Sequence, residues 1–181
     1  MPVLDEFNTT FQSDSALIGH LHGEMIRLLR RFMGKFVRTQ VIKGSEDITK
    51  VDYKNPNNQH SDETLAIGLK TREFLRTHGE EIDQQIVTRF FRNIRNFYMC
   101  VVEKMLKKFP LNDQTLLALG FLSPDSRDNV TVEQVVCLSE KVLPEIDREK
   151  LMEESEEYLL MPTRDLPTFN KRRNTIRCVL G

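Results

Sequence analysis

The sequence is poor in the residues that build small metal or disulfide sites. Its 181 residues include three cysteines and no tryptophan. Cys100, Cys137 and Cys178 stand far apart and form no CxxC pair, which excludes a zinc finger or a thioredoxin-like redox site. An odd, scattered set is not a disulfide framework either, so it favours a reducing compartment. Cys100 and Cys137 lie among apolar residues, and we expect both to be buried as small hydrophobic side chains.

The chain also lacks long apolar runs and an excess of charge of one sign. No apolar run approaches the roughly 18 residues that a helical membrane span requires. The opening residues MPVLDEF have neither the positive region nor the apolar region of a signal peptide. The 26 Lys and Arg residues against 27 Asp and Glu residues exclude a uniformly basic nucleic-acid binder. We therefore predict no membrane span, no signal peptide and an intracellular location.

Motifs that carry catalysis are missing as well. No G-x-S-x-G elbow surrounds Ser123 or Ser126, and no glycine-rich phosphate loop is present. His20 and His22 are two residues apart, so on a helix they point in different directions, whereas helical metal pairs need a spacing of four. His20 does lie four residues before Glu24, but we expect a solvated helix surface here. We therefore predict no catalytic residue, no metal site and no cofactor, and hence no enzyme.

What the sequence does contain is helical periodicity. Leu, Ile, Val and Phe supply about 30 % of the residues, which is enough for a core. Apolar residues recur every three or four positions over 13–36, 62–78, 80–109 and 147–160, and this spacing predicts amphipathic helices. The segment 80–109 ends before Pro110 and has the widest apolar stripe. We therefore predict a mainly α fold, a helical bundle around this long central helix.

Local signals divide the chain further. Short polar residues predict helix N-caps at Ser13, Ser61, Asp113 and the capping box Thr131–Gln134. The polar stretch 43–62 reads as a long loop, and the alternation over 48–53 predicts a short edge strand within it. We expect a disordered arm over 1–12, a helical domain over 13–160 and an extended basic tail over 161–181.

Charge is distributed unevenly along the predicted helices. The long helix carries basic residues on one flank and in its last turn, namely Arg89, Arg92, Arg95, Lys104, Lys107 and Lys108. Residues 145–157 are predominantly acidic instead. Ordinary solvated faces, helices docked by opposite charge, and a basic face that follows phosphates all fit this pattern. In the last interpretation the six basic residues are the candidate phosphate contacts.

Several short blocks follow one another in a distinctive order: IGLKTREFL at 67–75, RFF at 89–91, RNFY at 95–98, VVEKMLKKFPLND at 101–113 and LALGFLSPDSR at 117–127. Over about residues 20–167 the chain resembles animal proteins derived from hAT-superfamily DNA transposases. The segment around Leu122 resembles a divergent form of the family's Leu-Asp-Pro-Arg turn. The resemblance implies the helical insertion of an RNase H-like core, in proteins that also carry a BED-type zinc finger and a C-terminal dimerisation segment.

The sequence departs from that family where the chemistry would lie. The zinc-finger ligands and the strand-borne aspartates are absent, so the family's acidic triad has no place here. Its third acid has four positional candidates, Glu153, Glu154, Glu156 and Glu157. The resemblance thus implies a non-catalytic fragment of a transposase-derived protein, a DNA-associated scaffold of the nucleus. The alternative is a helical module that binds other proteins, or itself, through exposed apolar surface, with no nucleic-acid role.

Overall fold

A computed structural model describes Thr9 and residues 18–123, 127–166, 169–170 and 175–176 of the chain. It is mainly helical, which confirms the predicted fold class. The described part contains seven α-helices with defined bounds: α1 Ile18–Met33, α2 Thr39–Lys43, α3 Leu69–His78, α4 Gln84–Lys108, α5 Gln114–Ala118, α6 Val132–Val142 and α7 Arg148–Leu160. Short 3-10 helices form at Ile48–Lys50, Pro56–Asn58, Leu119–Leu122, Arg127–Asn129 and Thr163–Asp165.

The two ends of the chain are described only in part. The predicted arm over 1–12, Thr9 excepted, and the predicted N-cap Ser13 lie outside the described residues. In the predicted tail, strand β1 Phe169–Asn170 pairs antiparallel with strand β2 Thr175–Ile176. The other tail residues beyond Leu166 lie outside the described part.

The chain divides into two compact units. One comprises residues 26–109, and the other comprises residues 1–25 together with 110–181. We call them the inner unit and the terminal unit. The division falls inside α1, so the predicted helical domain over 13–160 is distributed over both.

The core of the inner unit is built on the second half of α1 and the turn that follows it. Leu28, Leu29, Phe32, Met33 and Phe36 are at most 4 % exposed. Their spacing of one, three and four residues places them on one helix face, as the periodicity predicted. Burial of each such side chain contributes about 1.5–3 kcal/mol. This face is therefore the main source of hydrophobic stabilisation in the unit.

Phe36 connects three parts of the inner unit. Its ring stacks on Tyr98 of α4 at 5.8 Å and meets Tyr53 edge-on at 6.3 Å. Its carbonyl accepts a hydrogen bond from the His60 backbone N–H at 2.7 Å. The Tyr98 hydroxyl in turn donates to the Ala66 carbonyl at 2.7 Å. The loop before α3 is thus fixed against both helices.

The edge strand predicted over 48–53 is wrong. Asp47 caps the 3-10 helix Ile48–Lys50, since its carboxylate accepts hydrogen bonds from the Thr49 N–H at 2.9 Å and the Thr49 hydroxyl at 2.7 Å. These bonds hold the pKa of Asp47 below its ordinary value. Ile48, Val51 and Tyr53 are all buried, so the alternation of the sequence reflects a turn that packs on the core.

Helix α3 begins later than the sequence predicted. The helix predicted over 62–78 is wrong in its first part, because Ser61 starts a turn in which its carbonyl accepts from the Leu65 N–H at 2.9 Å. Gly68 then takes a positive φ of 84°, a conformation that glycine adopts at little cost, immediately before the first helical residue Leu69.

Helix α4 has 25 residues and is about 37 Å long. Its N-cap is Asp83, whose carboxylate accepts from the Gln85 N–H at 2.7 Å. It buries fully only Phe91, Val102 and Met105. A larger share of α1 than of the long helix is therefore buried, and one side of α4 faces solvent along its length.

Both cysteines that were expected to be buried are exposed. Cys100 lies on the solvent side of α4, and Cys137 lies two residues from the buried Val135 of α6. Residues two apart on a helix point about 200° away from each other, so burial of Val135 directs Cys137 outward. Cys178 lies outside the described residues.

Local capping signals organise the terminal unit as the sequence predicted. The Asp113 carboxylate accepts from the Leu116 N–H at 2.9 Å at the start of α5. Thr131 and Gln134 form the predicted capping box at the start of α6. Each cap supplies acceptors to backbone N–H groups that have no partner within the helix.

A buried arginine joins two segments of the terminal unit. Arg127 is 4 % exposed, and its guanidinium donates to the carbonyls of Tyr158 at 2.7 Å and Met161 at 2.5 Å. The cation also lies 5.2 Å from the centre of the Tyr158 ring. These carbonyls belong to the C-terminal end of α7, where the helix dipole favours a positive charge.

We predict that Arg127→Ala lowers the free energy of unfolding by about 2–4 kcal/mol, because the half-buried carbonyls of Tyr158 and Met161 lose their donor and the buried side chain leaves a cavity. Urea denaturation followed by circular dichroism measures the change. The matched control is Arg164→Ala, since the Arg164 side chain is 85 % exposed and its ion pair with Asp165 is solvated. We expect the control to differ from the parent by less than about 0.5 kcal/mol. Equal effects of both substitutions would contradict the buried role of Arg127.

Candidate nucleic-acid interface

The chain is nearly neutral as a whole, but its two units have net charges of opposite sign. The inner unit has 17 Lys and Arg residues against 10 Asp and Glu residues, a formal net charge of +7. The terminal unit has 9 against 17, a formal net charge of −8. The electrostatic field near each unit follows the charge of that unit, so a charged partner responds to it even though the whole chain is nearly neutral.

Within the inner unit, the solvent side of α4 is a continuous polar and basic face. Its members recur at spacings of three and four residues and are all exposed: Arg89, Arg92, Asn93, Asn96, Cys100, Lys104 and Lys107. We call this set the basic face. It extends about 27 Å from Arg89 to Lys107. The face is open because the buried residues of α4 lie on the other side of the helix.

Two of the predicted phosphate-contacting residues lie near the beginning of α4. Arg89 and Arg92 border a surface cavity of about 440 Å³ together with Gln85 and Thr88. Neither guanidinium forms an ion pair with another residue of the described part. Both charges are therefore accessible to an anionic partner.

Arg95 differs from the other two arginines of the predicted flank. One of its terminal nitrogens lies 2.6 Å from the Asp62 carboxylate, and the other donates to the His60 carbonyl at 2.8 Å. The side chain is 21 % exposed. A step of three residues rotates by about 300°, so each arginine of the series lies about 60° further around the helix than the one before. Arg95 thus faces the loop that precedes α3 and holds it.

Arg95 also borders a larger cleft of about 740 Å³ in the inner unit. Arg38 lines the same cleft, and its Nε donates to the Gln59 carbonyl at 3.1 Å while its Nη2 donates to the Asn57 carbonyl. Both arginines are thus engaged with the loop backbone. The structure assigns them a role in fixing the cleft wall.

The lysines in the last turns of α4 are exposed and flank an acidic residue. Glu103 would weaken a positive face, but Lys54 Nζ lies 2.7 Å from its carboxylate. This hydrogen bond holds the pKa of Glu103 below its ordinary value, and the nearby Lys107 lowers it further. Lys54 offsets the one negative charge, so that Lys104 and Lys107 keep a positive surface. No sequence signal identified Lys54, which lies 49 residues from Glu103.

His20 and His22 each have a hydrogen-bond partner, so the prediction of a solvated helix surface is wrong for these two residues. In the terminal unit, a His22 ring nitrogen lies 3.0 Å from the Leu111 carbonyl, and a His20 ring nitrogen lies 3.1 Å from the Ser123 hydroxyl. Among the described residues, no three or more His, Cys, Asp or Glu side chains gather into a possible metal site. The four glutamates considered for a third family acid, Glu153, Glu154, Glu156 and Glu157, are exposed on α7.

Comparisons with family models, with curated proteins and with solved structures found no match for this chain. None of the described helices combines the length and the hydropathy that a bilayer crossing needs.

The pair between Lys54 and Glu103 predicts a pH dependence. The pKa of Glu103 in the folded protein is below its ordinary value, so the contribution of the pair is complete above the ordinary value and is lost as pH falls through the lowered pKa. We expect Lys54→Ala to raise the pKa of Glu103 towards its ordinary value in an NMR titration of the carboxyl carbon. Lys50→Ala is the control, because Lys50 pairs with Asp47. A Glu103 titration that does not respond to Lys54→Ala would refute the pair.

Proposed function

We propose that this chain is a non-catalytic, transposase-derived scaffold of the nucleus whose basic face contacts the phosphate backbone of DNA. The supporting observation is the basic face itself, with exposed Arg89, Arg92, Lys104 and Lys107 on a unit of net charge +7. The transposase origin is supported by the order of the sequence blocks described above. DNA presents a row of phosphates, and the basic face presents cations near both ends of a helix about 27 Å apart.

Contacts of this kind position a protein on DNA without reading its sequence. Phosphate contacts supply affinity that depends on salt, while specificity needs groups that reach the base edges. Asn93 and Asn96 lie between the cations on the same face and offer amide donors to phosphate oxygens. The proposed scaffold therefore binds duplexes of different sequence with similar affinity.

The first test is charge reversal at the beginning of the basic face. We expect Arg89→Glu/Arg92→Glu to weaken binding to a short DNA duplex by at least about tenfold at about 50 mM salt. The slope of log affinity against log salt should fall by up to about two, since each phosphate contact contributes about 0.9. Fluorescence anisotropy over a salt series measures both quantities.

The matched control reverses the same amount of charge elsewhere in the inner unit. Lys70 and Arg76 are exposed on α3, so Lys70→Glu/Arg76→Glu changes the net charge equally without touching the basic face. We expect this variant to retain most of the affinity. If both variants lose affinity equally, or if the parent does not bind DNA at low salt, the proposal fails.

A second candidate function is a helical protein-interaction module. It is favoured by the exposed apolar side chains of α3, where Leu69 is 89 % exposed and Phe74 is 54 % exposed. Large apolar side chains that remain in solvent are candidate contact points for another protein.

This candidate predicts that Leu69→Ser/Phe74→Ser reduces the binding of a hydrophobic fluorescent dye and leaves DNA affinity unchanged. The physical reason is that the substitution removes apolar surface but no charge. Dye fluorescence and anisotropy with the same duplex measure the two effects. An unchanged dye signal would count against α3 as an apolar contact surface.

A further inference from the structure

Helix α7 of the terminal unit carries a second charged face, of opposite sign. Its solvent side combines three glutamates with two exposed apolar residues: Glu149, Met152, Glu153, Glu156 and Leu160. We call this set the acidic face. Steps of three and four residues keep its members on one side of the helix. Its length from Glu149 to Leu160 is about 17 Å.

The acidic face is uncovered within the part of the chain that the structure describes. Helix α7 buries fully only Ser155, while Met152 is 41 % and Leu160 is 84 % exposed. The ion pairs of α7 involve Arg148 with Glu140 and Lys150 with Glu154, which lie outside the acidic face. Its three glutamates form no ion pair with any described residue.

The acidic face and the basic face are complementary in charge and in apolar content. The basic face is flanked by Ile86 and Phe97, which are 50 % and 46 % exposed. The charged residues of the acidic face recur at four and three residues, and those of the basic face form two pairs three residues apart, Arg89 with Arg92 and Lys104 with Lys107. The shorter acidic face fits within the length of the basic one. The units that carry them have nearly equal and opposite charges, +7 and −8, so contact between the inner unit of one copy and the terminal unit of another relieves the self-repulsion of each.

We propose that two copies of this chain associate by docking the acidic face of one copy on the basic face of the other. The occupant is a second copy because every copy carries both faces and therefore presents the complementary charge to each face of another. Opposite charges bring the two faces together and set their register. Met152 and Leu160 of one copy then pack against Ile86 and Phe97 of the other, which removes these apolar side chains from water. The contact involves solvent-exposed ion pairs, which are individually weak, so the association is reversible and sensitive to salt.

This association does not require nucleic-acid binding, because it uses the charges of the chain alone. It also employs the face that the proposed function assigns to DNA, so the two partners exclude each other there. Self-association is therefore tested without DNA, and its failure leaves the DNA experiment unaffected.

The test uses analytical ultracentrifugation of the full chain at about 50 mM and about 500 mM salt. We expect a concentration-dependent increase in mass at low salt that disappears at high salt. Two variants reverse one face each: Arg89→Glu/Arg92→Glu, at positions between Ile86 and Phe97, and Glu153→Lys/Glu156→Lys. Each variant alone should associate at least about tenfold more weakly, since attractive pairs become repulsive ones. Circular dichroism establishes that both retain the parent's helix content.

Mixing the two variants is the decisive measurement. The reversed, now acidic, α4 of the first variant is complementary in charge to the reversed, now basic, α7 of the second. The unchanged α7 of the first variant is likewise complementary to the unchanged α4 of the second. An equimolar mixture should therefore regain the association. The matched control Lys70→Glu/Arg76→Glu should associate like the parent. A parent chain that stays monomeric at low salt, an association that salt does not weaken, or a mixture that stays monomeric would each overturn the proposal.

Discussion

The inner unit depends on the burial of Phe36, in the turn that follows its core helix. The side chain is fully enclosed, and its ring contacts Tyr98 of the long helix and Tyr53 of the loop. Its carbonyl holds the backbone of His60. The loop, in turn, receives Arg95 and fixes which side of α4 faces the protein. The solvent side of α4, and with it the basic face, is therefore a consequence of packing around one phenylalanine.

Segregation of charge between the units is the feature that the functional proposals share. A chain with a formal net charge of −1 has little overall field, yet each unit presents a strong local one. The two proposals assign the same cations to DNA and to a second copy of the chain, and salt screens both kinds of contact. The pair of Lys54 with Glu103 matters in both cases because it offsets the negative charge that would interrupt the basic face.

Features set by near neighbours were predictable from the sequence. The Asp113 cap and the Thr131–Gln134 box involve residues within one turn, and both are confirmed. The strand prediction over 48–53 failed because alternation also arises where a 3-10 turn places three apolar residues on the core. The structural role of Arg127 was not predictable from the sequence, because its hydrogen-bond acceptors lie 31 and 34 residues away. The predicted set of phosphate-contacting residues stays a prediction. Arg95 differs from the other members because its side chain is engaged with Asp62 and His60.

Hydrogen bonds from Arg127 to the last carbonyls of α7 fix the direction in which the chain leaves this helix. A helix end commonly frays, but here a buried cation ties the backbone on both sides of the final turn, at Tyr158 and Met161. The chain continues to Leu166, which is buried at 7 % exposure. The segment 161–166 is consequently anchored at both of its ends.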